Sequence, residues 1–327
     1  MTSAMAASDK GNDTNGRRHE AYERLIARCK GIGAIPTAIA YPCDESSLQG
    51  AAAAARAGII APILVGPAAK VRQAAERSKV NISAFRMIDA AGSQDAADKA
   101  VAAVRAGEAE ALMKGSLHTD ELMGAVVRRE TGLRTARRIS HCFVMAVPTY
   151  PRPLVITDAA VNIFPTLEDK VDIVQNAIDL VVGLGLKQPK VAILSAVETV
   201  NPKIPSTLEA AALCKMADRG QITGGLLDGP LAFDNAIDPD AARIKGIRSP
   251  VAGHADILVV PDLEAGNMLA KNLTFLSKAD AAGIVLGARV PIVLTSRADN
   301  LRTRIASCAV AALSAIARKK KTPIAAA

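Results

Sequence analysis

Short apolar runs alternate with alanine-rich helical stretches along most of this 327-residue chain. Residues 37–41, 62–66 and 111–113 have the length and composition of buried strands. Residues 45–57, 68–78 and 95–106 have the spacing of helices, and Gly58 and Gly107 are placed to end two of them. Because consecutive parallel strands need a long crossover, usually a helix, this alternation predicts an α/β fold with a parallel sheet covered by helices on both faces.

The alternation is interrupted once and then resumes. Three prolines in VPTYPRP, residues 147–153, predict a domain boundary. Beyond it we expect strands at 154–157, 190–195, 225–228, 257–260, 283–286 and 291–295, and helices at 167–184 and 206–219. Ser206 and Glu209 have the spacing of a capping box for the second of these helices. Residues 1–18 are polar and are expected to form a disordered tail.

Composition narrows the class of protein. Half of the residues are hydrophobic, but only 2% are aromatic and none is Trp, which argues against a nucleic-acid reader that stacks bases on aromatic side chains. The net charge of +8 fits either a solvated basic face or an attraction for phosphate-bearing small molecules. Five scattered cysteines, the lack of a signal peptide and the lack of a long apolar run predict a cytoplasmic protein with reduced thiols and no membrane contact.

The last strand and helix enclose a polar turn. Ser296, Arg297 and Asp299 lie between the end of one element and the start of the other. In open α/β sheets ligands bind at such strand ends, and the N–H groups of a helix N-terminus suit an anion. The same residues are also consistent with a simple cap, in which Asp299 or Asn300 starts the helix and the arginine is exposed.

Four other strand-end loops carry polar residues that are candidates for ligand binding, although each is also consistent with a surface turn. The candidates are Lys114, Gly115, Ser116, His118 and Thr119 in the first loop, Asn162 and Thr166 in the second, Asp228 in the third, and Asp262, Gly266, Asn267 and Lys271 in the fourth. In the third loop Asp234, Asp238 and Asp240 suit either a divalent cation or helix caps and solvent. The lone GxG pairs at 31–33 and 183–185 do not extend to a dinucleotide fingerprint.

Taken in order, these segments resemble the phosphate acetyltransferase/phosphate butyryltransferase family. The resemblance rests on GSLHT, TDAAVNIFPT, DGPLAFDNAI, SPVAGHADILVVPDLEAGNMLAK and LTSRAD, and it runs from about residue 36 to the C-terminal helix. It implies two doubly wound α/β domains with a cleft between them, the isocitrate-dehydrogenase-like fold. It also implies that the C-terminal segment completes the first domain, which gives 19–148 plus 290–327 and 149–289, with the second domain expected to form a homodimer.

The resemblance implies reversible transfer of an acyl group between coenzyme A and inorganic phosphate, with both as substrates and with no cofactor or metal. Carried over, Ser296 and Arg297 match the family's catalytic pair, and Asp299 is the candidate general base. Asp299 follows Arg297 more closely than the family's carboxylate does, and Gly124 stands where the family can carry an arginine. With no Ser-His-Asp arrangement in evidence, we expect direct attack in a ternary complex rather than an acyl-enzyme.

Three alternatives remain open at this point. The first is a butyryl rather than an acetyl group as the acyl substrate, since acyl chain length depends on the volume of the pocket. The related fold also hosts metal- and nicotinamide-dependent dehydrogenases, for which the three aspartates at 234, 238 and 240 are the only support. The third is a non-catalytic module that binds coenzyme A, and the presence of Ser296 and Arg297 argues against it.

Overall fold

The computed structural model describes residues 14–296 and 299–320. The helices are α1 (Thr14–Cys29), α2 (Glu45–Arg56), α3 (Ala68–Arg77), α4 (Ser93–Arg105), α5 (Thr119–Val127), α6 (Leu167–Gly183), α7 (Pro205–Asp218), α8 (Phe233–Ile237), α9 (Pro239–Ile244), α10 (Leu263–Phe275) and α11 (Leu301–Lys320). The strands are β1 (Ile35–Ala40), β2 (Ile60–Gly66), β3 (Arg86–Asp89), β4 (Ala111–Lys114), β5 (Ser140–Ala146), β6 (Leu154–Thr157), β7 (Lys190–Leu194), β8 (Leu226–Leu231), β9 (Ile257–Val259), β10 (Asp280–Leu286) and β11 (Ile292–Val293).

These strands form an eleven-stranded sheet in the order β3-β2-β1-β4-β11-β10-β5-β6-β9-β7-β8. The first five strands in this order are parallel to one another, and so are the last four. Between them β10 and β5 are each antiparallel to both neighbours. Because three antiparallel steps separate β11 from β6, the two parallel groups run in opposite directions. The carboxyl ends of the two groups therefore point in opposite directions along the strands.

The α/β fold class is confirmed, but the expectation of a wholly parallel sheet is wrong at the centre. Short connections can join antiparallel strands, whereas parallel neighbours need a crossover. The proline-rich segment is one such connection, since it links β5 to the antiparallel β6. Residues 287–291 are another, between β10 and β11. Strand β5, with the sequence SHCFVMA, was not predicted.

Burial divides each strand between two faces. In β1, Ile39 faces a core that extends across the sheet and includes α2, α6 and α11, while Ala38 and Ala40 face the opposite side. That opposite side is covered by two separate clusters of buried side chains. One packs around α4 and α5, and the other lies beneath α8, α9 and α10. The alternation of buried side chains is what a strand covered on both faces requires.

The C-terminal segment occupies the middle of the sheet. Val293 of β11 lies opposite Met113 of β4 on one side and Ile284 of β10 on the other. Helix α11 then packs against α1, α2 and β10. At the other end of the chain, α1 begins at Thr14, inside the stretch expected to be a tail, and residues 1–13 lie outside the described residues. The division into domains stays a prediction.

In the described part of the chain, no helix combines the length and apolarity needed to cross a membrane.

The predicted capping box at Ser206 is wrong. Helix α7 begins at Pro205, which favours a first helical position, so Ser206 lies inside the helix and its hydroxyl contacts that of Ser195 at 2.8 Å. Glu209 instead binds the ammonium group of Lys170, whose side chain is only 5% exposed. This ion pair joins α7 to α6 within the second parallel group.

We expect Glu209→Ala to lower the free energy of unfolding by about 2–3 kcal/mol, because it leaves a buried ammonium group without its carboxylate. This is less than the ~3–5 kcal/mol typical of a fully buried pair, since the Glu209 side chain is 28% exposed. The double variant Lys170→Met/Glu209→Leu should recover most of that loss, since it removes both charges. Urea denaturation measures both. Lys215→Ala, which breaks an exposed ion pair with Asp218 on the same helix, is the matched control and should change nothing measurable. Equal stability of Glu209→Ala and the parent would contradict the role assigned to this pair.

Candidate active site

The turn after β11 is held by reciprocal bonds between Ser296 and Asp299. The Ser296 amide donates to Oδ2 of Asp299 at 2.6 Å, and the Asp299 amide donates to the Ser296 carbonyl at 3.2 Å. Asn300 caps α11, since its Oδ1 accepts from the Thr303 amide at 2.9 Å. Of the two candidate caps, Asn300 therefore takes this role, which leaves Asp299 to close the turn. Arg297 lies outside the described residues.

A buried arginine that the sequence did not single out lies behind this turn. Arg304, 4% exposed, donates to the Thr295 hydroxyl at 3.1 Å and to the Ser296 carbonyl at 2.9 Å. The same guanidinium reaches the Ser46 hydroxyl of α2 at 3.3 Å. Gly50 makes room for it, because a Cβ there would lie 2.9 Å from Cδ of Arg304. Arg304 thus ties the turn to α2 and brings a positive charge to it.

The loop after β4 runs beside this turn, because β4 and β11 are neighbours in the sheet. Lys114 is 6% exposed, and its ammonium group donates to the carbonyls of Gly115 and Leu117 at 3.2 and 3.0 Å. The Ser116 hydroxyl donates to the Tyr41 carbonyl at 2.8 Å. A Cβ on Gly115 would lie 2.4 Å from the Ala40 carbonyl oxygen, so only glycine fits this approach. The loop is therefore locked against the end of β1.

The surroundings of Asp299 shift the pKa of its carboxyl group. Burial raises the pKa of its carboxyl above the ordinary value, and the Ser296 amide, Arg304 and Lys114 oppose part of that rise. The structure thus gathers one carboxylate, two buried cations and a hydroxyl at the carboxyl ends of β4 and β11. Such a set can bind an anion and accept a proton.

His118 and Thr119 lie at the start of α5, as predicted, with exposed side chains. The Glu121 carboxylate accepts from the His118 amide at 2.8 Å, which fixes the first turn of the helix. Their part in binding a substrate stays a prediction.

The remaining candidates lie elsewhere. They follow the carboxyl ends of β6 and β9, which point in the opposite direction from the end of β11 that carries Ser296. These residues are Asn162, Thr166, Asp262, Gly266, Asn267 and Lys271. β10 and β5 separate β11 from β6, which amounts to roughly 14 Å of sheet. Val161, in the same loop as Asn162, packs against the cluster of buried side chains that contains Leu117. This contact is where the second group approaches the first.

Several residues of this second group have visible structural roles. The side-chain amide of Asn162 donates to the Asp158 carboxylate at 2.6 Å and to the Ile139 carbonyl at 2.9 Å. The Thr166 hydroxyl caps α6 and Asp262 caps α10, and Asn267 donates to the Ala159 carbonyl at 3.2 Å. Lys271 is exposed on α10. These contacts hold the loops in place, and a direct role in binding stays a prediction for each.

The third loop is corrected in two respects. Asp228 was expected in a turn after a strand, but β8 continues through it to Leu231. Asp234 binds Lys245, Asp238 caps α9 and Asp240 binds Arg243. Within residues 14–296 and 299–320 no three His, Cys, Asp or Glu side chains are grouped so as to hold a metal ion. The three aspartates therefore give the dehydrogenase alternative no support.

His141 is a second residue of a type common in active sites that the sequence pattern did not single out. It lies in β5, 1% exposed, and burial lowers its pKa to about 4 despite the nearby Asp158 carboxylate, so the imidazole is neutral at neutral pH. Its Nδ1 has no hydrogen-bond partner among the described residues. Nothing in the apolar run SHCFVMA distinguished it from a core residue.

Comparison with known proteins gives the class and then the family. The fold matches a solved branched-chain phosphotransacylase from Enterococcus faecalis, with a TM-score of 0.76 and 30% identity over 86% of this chain and 99% of that one. Residues 92–312 match the family model described as "Phosphate acetyl/butaryl transferase". A phosphate acetyltransferase of Rhizobium meliloti is 67% identical over 93% of this chain and 96% of its own length. A phosphate butyryltransferase of Clostridium acetobutylicum is 40% identical over 90% and 98%.

This chain is therefore an acyltransferase of the α/β class. It belongs to the phosphate acetyltransferase/phosphate butyryltransferase family, and the resemblance noted in the sequence is confirmed.

The pH dependence of turnover tests the electrostatic role of Arg304. A general base acts when ionised, so with Asp299 in that role the rate falls as pH drops through its pKa. Removing the charge in Arg304→Gln should raise that pKa further and move the acid limb of kcat to higher pH. Arg304→Lys should keep the limb in place but lower kcat, because a lysine cannot reproduce the planar fork of bonds.

Arg302→Gln is the matched control on the same helix, since Arg302 pairs with Asp280 at 3.9 Å and lies over the Tyr22 ring. Its acid limb should match the parent's. Circular dichroism checks that each variant folds. An unshifted limb in a folded Arg304→Gln protein would show that Arg304 does not set the charge of Asp299.

Proposed function

We propose that this chain is a phosphate acetyltransferase, which transfers an acetyl group reversibly between coenzyme A and inorganic phosphate. The observation that carries the proposal is the 67% identity, over 93% of the chain, to a relative named for that activity. The relative named for butyryl transfer is more distant, at 40%. Longer acyl groups are therefore the second candidate for the substrate.

The residues of the site suggest which of them bind phosphate, stabilise the oxyanion and act as the general base. Arg297 is suited to bind phosphate through two parallel N–H donors, and Lys114 adds a second positive charge. The Ser296 hydroxyl is a donor for the oxyanion that forms when phosphate attacks the thioester carbonyl. Asp299 is the candidate for the base that takes the proton from the coenzyme A thiol in the reverse direction, because the thiolate is the nucleophile. The attack is direct, within a ternary complex.

We also propose a cytoplasmic homodimer with the domain division given above. The five cysteines are free thiols, which suits a reducing compartment. Ile163, Phe164, Met268 and Phe275, all in residues 149–289, are between 61 and 77% exposed, and such apolar side chains suit a subunit contact. Sedimentation velocity measures the assembly state.

Acetyl phosphate formation by the purified chain tests the proposal. We expect thiol release from acetyl-coenzyme A that depends on phosphate and continues in the presence of a chelator, because the proposed mechanism needs no metal. Propionyl- and butyryl-coenzyme A, assayed in parallel, rank the acyl groups by kcat/KM. If butyryl-coenzyme A is preferred, the second candidate replaces the first. If the chelator abolishes turnover and magnesium restores it, the mechanism is wrong.

Arg297→Lys tests the phosphate clamp. Loss of one transition-state donor typically lowers kcat on the order of 100- to 1000-fold. We expect a fall of that size, since a lysine offers a point charge in place of a planar fork. Both KM values and the melting temperature are measured alongside, and coenzyme A binding should persist. Near-normal kcat in a folded Arg297→Ala protein would remove this residue from the mechanism.

A further inference from the structure

A cavity of about 420 Å³ lies between α1 and the connection from β5 to β6. Glu20, Ala21 and Arg24 line it from the helix, and residues 146–148 and 150–153 line the opposite wall. We call it the α1–β5 pocket. Its volume falls in the range of about 300–1,000 Å³ that is typical of small-molecule sites, and none of the candidate active-site residues lines it. The cavity therefore has room for a ligand that is not a substrate of the acyl transfer.

The wall opposite α1 is rigid and largely apolar. It carries three prolines, at positions 148, 151 and 153, whose rings fix the backbone. The Tyr150 amide donates to the Val147 carbonyl at 2.9 Å, and the Tyr150 hydroxyl donates to the Ala255 carbonyl at 2.7 Å. Burial raises the pKa of that hydroxyl above its ordinary value, so the ring is uncharged at neutral pH. Such a preformed wall suits the apolar body of a ligand, since little conformational freedom is lost on binding.

Two guanidinium groups at the pocket leave most of their donors unused. Arg24 contacts Glu20 at 3.5 Å, and this ion pair is weak because the two side chains are 70% and 65% exposed. Arg152 donates to the His254 carbonyl at 3.3 Å and lies 3.6 Å from the Asp256 carboxylate. A guanidinium has five N–H donors, and the two side chains make no other polar contact with described residues. Two positive side chains and one negative side chain line the pocket, so it favours an anion, and a carboxylate matches the planar fork of a guanidinium.

The pocket adjoins the contacts that hold the start of α11. Ala146, which lines it, lies opposite Asp280 in the sheet, and Asp280 binds Arg302 at 3.9 Å. Arg302 is in the first turn of α11 and also lies over the ring of Tyr22 in α1. That helical turn directly follows the active-site turn in the chain. A ligand that bridges the two walls of the pocket therefore restrains the helix that follows the active-site turn.

We propose that the α1–β5 pocket is a regulatory site for a small carboxylate with an apolar body. The carboxylate pairs with Arg24 and Arg152, and the apolar body packs against Tyr150 and the three prolines. By joining α1 to the β5–β6 connection the ligand restrains the first turn of α11, so the protein loses less conformational freedom when it binds its substrates. The effect on substrates rests on the proposed function, whereas the binding of the carboxylate does not.

Calorimetric titration with benzoate tests the site, and benzamide serves as a probe of the same shape without the charge. We expect a Kd on the order of 1 mM for benzoate in the parent, and weaker binding of benzamide. Arg24→Gln should raise the Kd of benzoate on the order of tenfold, as for a charge-assisted hydrogen bond. Ala21→Leu should abolish binding, because the larger side chain fills the cavity. Lys30→Gln removes an exposed cation just beyond α1 that does not line the pocket, and it should bind benzoate like the parent.

Titrations with both ligands test the coupling. Saturating benzoate should lower the Kd of coenzyme A about fivefold, which is the lower end of typical coupling between two sites. Because coupling is reciprocal, saturating coenzyme A should lower the Kd of benzoate by the same factor. KM for acetyl-coenzyme A should fall in step. These effects should vanish in Ala21→Leu, whose activity and melting temperature without benzoate should equal those of the parent.

Equal affinity for benzoate and benzamide, or benzoate binding that Arg24→Gln and Ala21→Leu leave unchanged, would overturn the assignment of the pocket. Displacement of benzoate by inorganic phosphate or by coenzyme A would place the probe in the substrate site and would also overturn it. A Kd of coenzyme A that benzoate does not alter would remove the regulatory role. If the parent couples the two ligands but transfers no acetyl group, the proposed function fails while the regulatory site is supported.

Discussion

Two residues join the halves of this sheet. Ile292 and Val293 form β11, which pairs parallel with β4 and antiparallel with β10. Both are fully buried, and a strand in this position pairs on both sides with no solvent exposure. The pairing fixes where the chain leaves the sheet, and therefore where Ser296 and Asp299 lie relative to Lys114. Without this pairing, nothing in the sheet would fix the position of the polar turn relative to the loop after β4.

The candidate site also depends on a buried guanidinium group, which holds the turn after β11 in place. Arg304 bonds Thr295 and the Ser296 carbonyl while reaching Ser46 of α2. One side chain thus connects the end of a strand, the turn and a neighbouring helix. Since it does so as a cation, the same contact that holds the turn also acts on the charge of Asp299. Structure and electrostatics are coupled here, so variants of Arg304 have to be examined by pH profile as well as by stability.

Much of the fold could be predicted because it follows from local pattern. The strand at Leu154–Thr157 was predicted with the bounds that it has, since it is a short apolar run that follows the prolines of residues 148–153. Strand β5 was not, although its sequence is mostly apolar, and one of its two partners, β10, is distant in sequence. Sheet direction at the centre also depends on partners that periodicity does not reveal. For the site, Ser296, Asp299 and Lys114 were visible as polar residues after strands, while Arg304 looked like any charged residue of an amphipathic helix. Its burial follows from Gly50, some 250 residues away, and no local signal links the two.

The balance at Asp299 suits the chemistry assigned to it. A carboxylate with an ordinary pKa is a weak base towards a thiol, whose pKa is near 8.5. Burial raises the carboxyl's pKa and so brings the two closer, which favours proton transfer. Burial alone would also favour the neutral acid, which cannot accept the proton. Lys114, Arg304 and the Ser296 amide oppose part of that shift and favour the ionised form. The cations expected to attract phosphate thus also favour the charged form of the proposed base. In the reverse direction the incoming anion is acetyl phosphate, and its binding, by offsetting their charge, would make Asp299 more ready to take the thiol proton once acetyl phosphate and coenzyme A are both in place.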